Sequence, residues 1–187
     1  MNIDSQLVRL TVKTVLMSLL LSGFVAGSAQ ADTTDASVNP AQLQDAESRA
    51  ALQREISGKL ARIKSEADLH AYLASMRAMQ TPLDRLSPGA KRRFIDSLVF
   101  TPNGLGSFTY ADIRNELTLS EAYQLLALFG REATAASIRG IRIESDEDRM
   151  IAKVSDGLRN TDYMDYWCRT TSTCTRKLED ICVAPGC

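Results

Sequence analysis

The sequence predicts an all-α fold, an irregular bundle of five to seven helices that ends in a disulfide-bridged C-terminal tail. Three observations lead to this prediction. Helix-start signals recur along the chain, the apolar residues between them follow three- and four-residue steps, and all four cysteines fall within the last 20 residues. The first two features are typical of amphipathic helices, and the third indicates a covalently braced end.

The predicted helices span about 40–64, 66–81, 88–100, 110–117, 119–129, 133–140 and 146–156. Pairs with capping-box spacing mark several of their starts, namely Ser65 with Asp68, Thr109 with Asp112, and Thr118 with Glu121. Between two of these helices, the proline and two glycines of 101–107 predict a turn or an exposed loop.

The start of the chain has the pattern of a cleavable signal peptide. Arg9 and Lys13 precede an uncharged, largely apolar run over 14–26, and the small residues Ala29 and Ala31 follow. We therefore expect cleavage after Ala31 and export to the periplasm or the extracellular medium. The apolar run has about 13 residues, whereas a bilayer-spanning helix needs roughly 20, so no stable membrane anchor is expected.

Composition divides the chain into four segments. These are a signal peptide (1–31), a flexible lead-in (32–38), a helical domain (39–158) and an aromatic, cysteine-rich tail (159–187). The chain holds 22 basic and 23 acidic residues, a net charge of −1. Because nucleic-acid-binding proteins usually carry a basic excess, we expect no nucleic-acid partner.

The four cysteines are Cys168, Cys174, Cys182 and Cys187, and an even number in an exported chain predicts two disulfides rather than a metal site. A short helix predicted over 175–182 would place the Cα atoms of Cys174 and Cys182 roughly 12 Å apart, beyond the limit of about 7 Å for a disulfide. This argument excludes Cys174–Cys182 and, with it, Cys168–Cys187. A sequential and an interleaved pattern remain, and the larger loops of the interleaved one favour Cys168–Cys182 with Cys174–Cys187.

The sequence shows no catalytic, metal or cofactor site. His70 lies four residues after Glu66, so the two can share a helix face, but no third metal ligand is identifiable. No serine lies in a nucleophile elbow, and cysteines able to pair are poor candidates for a free thiolate. The acidic residues of 144–148 suit the start of a helix rather than a calcium loop.

Two groups of residues are candidates for binding. Tyr163, Tyr166 and Trp167 precede the first cysteine, and such side chains recur at recognition surfaces. An alternative role for them is to anchor the tail on the helical domain. Asn103 and Gly104 form the second group, in the predicted loop.

These features favour an exported, non-enzymatic protein that binds a protein or another macromolecule through its disulfide-braced tail or its surface loop. One alternative is a precursor that releases a cysteine-bridged C-terminal peptide after a cut within 156–160, since the cysteines are confined to that end. Another is a secreted enzyme or toxin whose site forms only in the folded chain.

Overall fold

The computed structural model describes residues 40–76, 79–156 and 161–187. The helices of these ranges are α1 (Pro40–Leu60), α2 (Glu66–Ser75), α3 (Pro88–Asp96), α4 (Ala111–Glu116), α5 (Leu119–Ala127) and α6 (Asp146–Asp156), with 3₁₀ helices at Pro82–Arg85 and Glu132–Ser137. The strands are β1 (Val99–Thr101), β2 (Gly104–Thr109), β3 (Tyr163–Thr170) and β4 (Thr173–Cys182). The predicted signal peptide and lead-in, 1–31 and 32–38, lie outside the described residues.

The all-α prediction is wrong, because the four strands form one antiparallel sheet in the order β1-β2-β4-β3. Strands β1 and β2 come from the predicted helical domain, whereas β3 and β4 come from the predicted tail. Ser107 of β2 lies opposite Cys182 of β4, and Thr109 lies opposite Asp180. A single sheet therefore joins the two segments, and the fold is mixed α and β.

Most of the predicted loop 101–107 belongs to a β-hairpin. Thr101 pairs with Gly104, so Pro102 and Asn103 form a tight turn between β1 and β2. An Asn-Gly step flanked by β-branched and aromatic residues is a hairpin signal. The apolar residues of β1 also continue the helical spacing of α3, which explains why the sequence extends that helix too far. The residues from Gly104 to Phe108 are buried rather than exposed.

The short helix predicted over 175–182 is also wrong, since these residues belong to β4. Leu178 is 67% exposed whereas Ile181 is fully buried, so the two do not share a face. The sequence of β3 is rich in aromatic residues, and a turn with a positive φ at Ser172 separates it from β4. These local features favour a hairpin over a helix.

Two disulfides are confirmed, but their pairing contradicts the prediction. The pairs are Cys168–Cys187 and Cys174–Cys182, and the Cα atoms of the second pair lie 5.9 Å apart. The reason lies in an irregular stretch of the β3–β4 hairpin, where 177–180 of β4 stand opposite the single residue Asp165 of β3. This bulged path replaces the straight helical rise that the exclusion of Cys174–Cys182 assumed.

The main core forms where α3, β2 and the chain after α5 meet. The Phe94 ring packs edge-on against Phe108 at 6.0 Å and against Phe129 at 6.1 Å between ring centroids. Ile181 and Val183, at the end of the tail, are fully buried in the same cluster. The tail therefore contributes to the hydrophobic core as well as to the sheet.

Local capping signals predict two of the helix starts well. The Ser65 hydroxyl accepts a hydrogen bond from the Asp68 amide at 3.1 Å, and Thr118 and Glu121 form both halves of a capping box. The predicted cap at Thr109 is wrong, because its hydroxyl donates to Asp180 Oδ1 at 2.7 Å and so ties β2 to β4 instead. Within the described ranges, every helix falls short of the length or the apolar character needed to cross a lipid bilayer.

Two glycines test how tightly the tail packs. A Cβ at Gly186 would lie 1.8 Å from the Leu105 carbonyl oxygen, whereas a Cβ at Gly58 in α1 would meet no atom within 4 Å. We expect Gly186→Ala to lower the free energy of unfolding by about 2 kcal/mol or more through steric displacement. Gly58→Ala should raise it by up to about 1 kcal/mol, because alanine is the better helix former. Urea unfolding measures both, and equal effects would contradict the close approach at Gly186.

Candidate functional site

A surface groove of about 560 Å³ runs between α1 and the β1–β2 turn, and we call it the α1–turn groove. Its lining comprises Ala51, Arg54, Glu55, Gly58, Lys59, Lys64, Pro102, Asn103, Gly104, Leu105, Phe129, Arg131, Thr161 and Pro185. Four of these side chains are cationic and one is anionic. The predicted loop residues Asn103 and Gly104 thus lie in the wall of a concave, positively charged site.

Close backbone packing positions α1 along this groove. A Cβ at Gly130 would lie 2.3 Å from the Ser57 carbonyl oxygen, so only glycine lets α1 approach the chain after α5 this closely. Gly130 also has a φ of +65°, which a residue with a side chain rarely adopts. As a result, Arg54 of α1 and Arg131, which follows Gly130, line the same groove.

The opposite wall is built from two turns that hold each other. The amide of Val183 donates to the Gly106 carbonyl at 2.8 Å, and the Thr101 hydroxyl donates to the carbonyl of Gly186. Pro185 lies between these anchor points and lines the groove beside Asn103. The β1–β2 turn and the end of the disulfide-braced tail therefore form one fixed surface, although 80 residues separate them in sequence.

The charges of the groove are unequally neutralised. Lys59 forms an ion pair with Glu55 at 2.6 Å, and its partner is the one carboxylate in the lining. Lys64 donates to the backbone carbonyl of Lys59 at 3.0 Å, a contact that holds its ammonium in place without cancelling its charge. Positive charge therefore remains at the groove after this internal pairing.

Arg131 is the most buried of these cations. The residue is only 9% exposed, and its Nε has no hydrogen-bond partner among the residues that the structure describes. Burial lowers the pKa of Arg131, while the negative charges of Asp162 and Glu132 oppose that shift. A buried guanidinium N–H without a partner is costly, so an incoming acceptor would gain from reaching it.

Asp162 lies behind Arg131, next to a small cavity that both residues line. Its carboxylate accepts hydrogen bonds from the Thr134 hydroxyl at 2.6 Å and from the Ala184 amide at 3.2 Å. Burial raises the pKa of Asp162, and these two donors together with Arg131 work against that shift. Asp162 therefore offsets part of the Arg131 charge from the interior, on the side away from the groove lining.

The predicted aromatic group lies elsewhere, on the edge strand β3. Tyr163 is 54% exposed, and its ring centroid lies 6.1 Å from that of Tyr166. Lys177 Nζ lies 5.6 Å from the centroid of the Trp167 ring, a cation–π distance. None of the three lines the α1–turn groove. The binding role of these aromatic residues stays a prediction, separate from that of Asn103 and Gly104.

The weaker sequence candidates also have defined places. His70 Nε2 and Glu66 Oε1 are 3.8 Å apart on the exposed side of α2. In the acidic stretch of 144–148, Asp148 points inward and caps two helix starts, so its carboxylate serves structure there.

Comparison of the chain with protein-family models, with curated proteins and with solved structures finds no match. The functional argument therefore depends on the geometry and charge of the groove. The sequence identifies its turn through Asn103 and Gly104, but it offers no signal for Arg54, Lys64 or Arg131, which only the packing of α1 brings together.

Proposed function

We propose that this chain is an exported, non-enzymatic protein that binds an acidic segment of a partner protein in the α1–turn groove. The observation that carries the proposal is the excess of cations there, four against one carboxylate. Carboxylates and other anionic acceptors are the natural partners of clustered Arg and Lys side chains. Arg131 supplies a buried N–H donor that lacks a partner among the described residues.

The rigid wall of the groove supports binding as the role of the disulfide-braced tail. The Cys168–Cys187 bond closes the turn that carries Pro185, and this turn is bonded to the β1–β2 hairpin. A preorganised surface loses less conformational entropy when a ligand binds than a mobile loop does. Two disulfides also agree with a chain that works in an oxidising compartment.

The alternatives have less support in the geometry. A precursor would have to release β4, yet β4 pairs with β2 and places Ile181 in the core, so release would break the folded domain. An enzyme needs a nucleophile or an acid–base pair, and the described residues lining the groove include no histidine, cysteine or serine. We therefore place binding ahead of both.

Charge reversal tests the groove. We expect the double variant K59E/K64E to bind a fluorescein-labelled peptide of ten glutamates at least tenfold more weakly than the wild type. The matched control is R92E/R176E, which changes the net charge equally at two exposed positions outside the groove lining. Fluorescence anisotropy at low salt measures both. Equal losses in the two variants would show that net charge, rather than the groove, determines binding.

Export has its own test. When the full chain is expressed in its native host, we expect N-terminal sequencing of the periplasmic or extracellular fraction to begin at Asp32 or within one or two residues of it. The reason is the small-residue pattern at Ala29 and Ala31. Full-length protein confined to the cytoplasm would contradict the export proposal and would leave the groove measurement unaffected.

A further inference from the structure

The sulfur atoms of the two disulfides lie close together. The Sγ atoms of Cys168, Cys182 and Cys187 are all within 4.8 Å of one another. Two of these atoms are bonded in the Cys168–Cys187 disulfide, whereas Cys182 is bonded to Cys174. We call these three residues the sulfur cluster. A thiolate at Cys182 would therefore already stand beside the neighbouring disulfide.

The four cysteines differ in their access to solvent. The residues of the sulfur cluster are buried, with Cys182 fully so, whereas Cys174 is half-buried at the margin of the cluster. A small thiol arriving from solvent therefore reaches Cys174 Sγ before any other sulfur. Because the outcome of thiol–disulfide exchange depends on which sulfur is accessible, Cys174 is the point of entry.

We propose that the tail contains a thiol–disulfide exchange site, in which Cys174 receives an external thiol and Cys182 passes the exchange into the sulfur cluster. The ligand class is a small thiol such as glutathione. This activity does not depend on the proposed binding function, because it involves none of the charged residues of the groove.

Both steps balance without any oxidant. The external thiol loses its proton to water, and its thiolate attacks Cys174 Sγ, which forms a mixed disulfide and expels the electron pair onto Cys182 Sγ. The Cys182 thiolate then attacks Cys168 or Cys187, their mutual bond breaks, and the expelled sulfur takes up a proton. Two disulfides exist before and after, and one thiol has moved from the small molecule to the protein.

Two single substitutions separate this proposal from simple loss of a disulfide. Cys174→Ala and Cys182→Ala both remove the same bond, but only the first leaves its free thiol within the sulfur cluster. In dilute C174A we expect non-reducing peptide mapping after acid quench to find Cys182 joined to Cys168 or Cys187 in part of the molecules. In C182A we expect Cys174 to stay a free thiol. A free Cys182 in folded C174A, with Cys168–Cys187 intact, would overturn the proposal.

The wild type supplies a second measurement that does not depend on how the variants fold. After brief exposure to reduced glutathione and acid quench, we expect glutathione on Cys174 together with a disulfide that contains Cys182. The attacking species is a thiolate, so the rate should rise about tenfold per pH unit below the ordinary thiol pKa of about 8.5. Glutathione on Cys174 with Cys182 only as a free thiol would overturn the transfer step.

Discussion

Asp148→Ala is expected to lower the free energy of unfolding by about 3 kcal/mol, because it removes a buried anion that accepts three backbone hydrogen bonds. The amides of Ser120, Glu144 and Ser145 donate to its carboxylate at 2.6, 2.9 and 2.8 Å. The side chain therefore joins the start of α5 to the start of α6. Substitution by alanine leaves these amides without an acceptor in a buried site.

Asp146→Ala in the same turn is the matched control. The Asp146 side chain is 92% exposed and contacts only the neighbouring Arg149 in the described structure. Its loss should cost well under about 1 kcal/mol, as for other exposed ion pairs. Urea denaturation at pH 7 compares the two variants. Similar losses would mean that Asp148 acts only through the charge of the helix start.

The same carboxylate makes stability depend on acid. Burial opposes the ionisation of Asp148, but the hydrogen bonds from the amides of Ser145, Glu144 and Ser120 outweigh it and hold its pKa well below the ordinary value. Because the unfolded carboxyl binds its proton first, near pH 4, the stabilisation is fully present above that pH and declines as the pH falls toward the lower folded pKa. The difference in unfolding free energy between wild type and D148N should shrink in this range. A constant difference from pH 7 to pH 3 would contradict the assignment.

The features that the sequence predicts well are those decided within one helical turn. The capping signals at Ser65 and Thr118 operate over three residues, so no tertiary information is needed to recognise them. The start of α6 is equally local, since Ser145 accepts from the Asp148 amide at 3.0 Å. Each of these helix starts lies within a residue or so of its predicted position.

The sheet depends on pairings that local patterns do not contain. Strand β4 is recognisable as a strand only through its partners β2 and β3, and its Leu178, Ile181 and Cys182 match a helical spacing by coincidence. The residues with positive φ at Asp165 and Glu179 mark where the hairpin leaves a regular path. Aspartate tolerates this conformation better than most residues, but the preference is too weak to reveal the fold-back that brings Cys174 to Cys182.

The groove divides in the same way. Asn103 and Gly104 are predictable because a tight turn selects for these residue types. The cations opposite them are not, since Arg54 and Arg131 lie on separate elements that meet only where Gly130 admits the α1 backbone. A single sequence contains no signal for such a meeting.

Removal of the Cys168–Cys187 bond by a paired Cys→Ala substitution is expected to lower the free energy of unfolding by about 3 kcal/mol, because its absence frees the unfolded chain. The bond joins residues 19 apart, whereas Cys174–Cys182 joins residues 8 apart. By chain entropy the shorter loop should cost about 2.5 kcal/mol, so the two double variants should differ by less than about 1 kcal/mol.

Packing alters this comparison in a measurable direction. Cys168 and Cys187 are both buried, and a Cβ at Gly106 would lie 3.1 Å from Cys168 Sγ, which shows how closely β2 packs on that sulfur. Cys174, in contrast, is half-buried, so its truncation leaves a smaller void. Lost contacts in C168A/C187A therefore add to the entropic term, and we expect the difference between the double variants to exceed the entropic value. Urea unfolding of C168A/C187A and C174A/C182A measures it, and a larger loss in the second variant would mean that the fold-back of the hairpin, rather than the anchoring of the final turn, stabilises the tail.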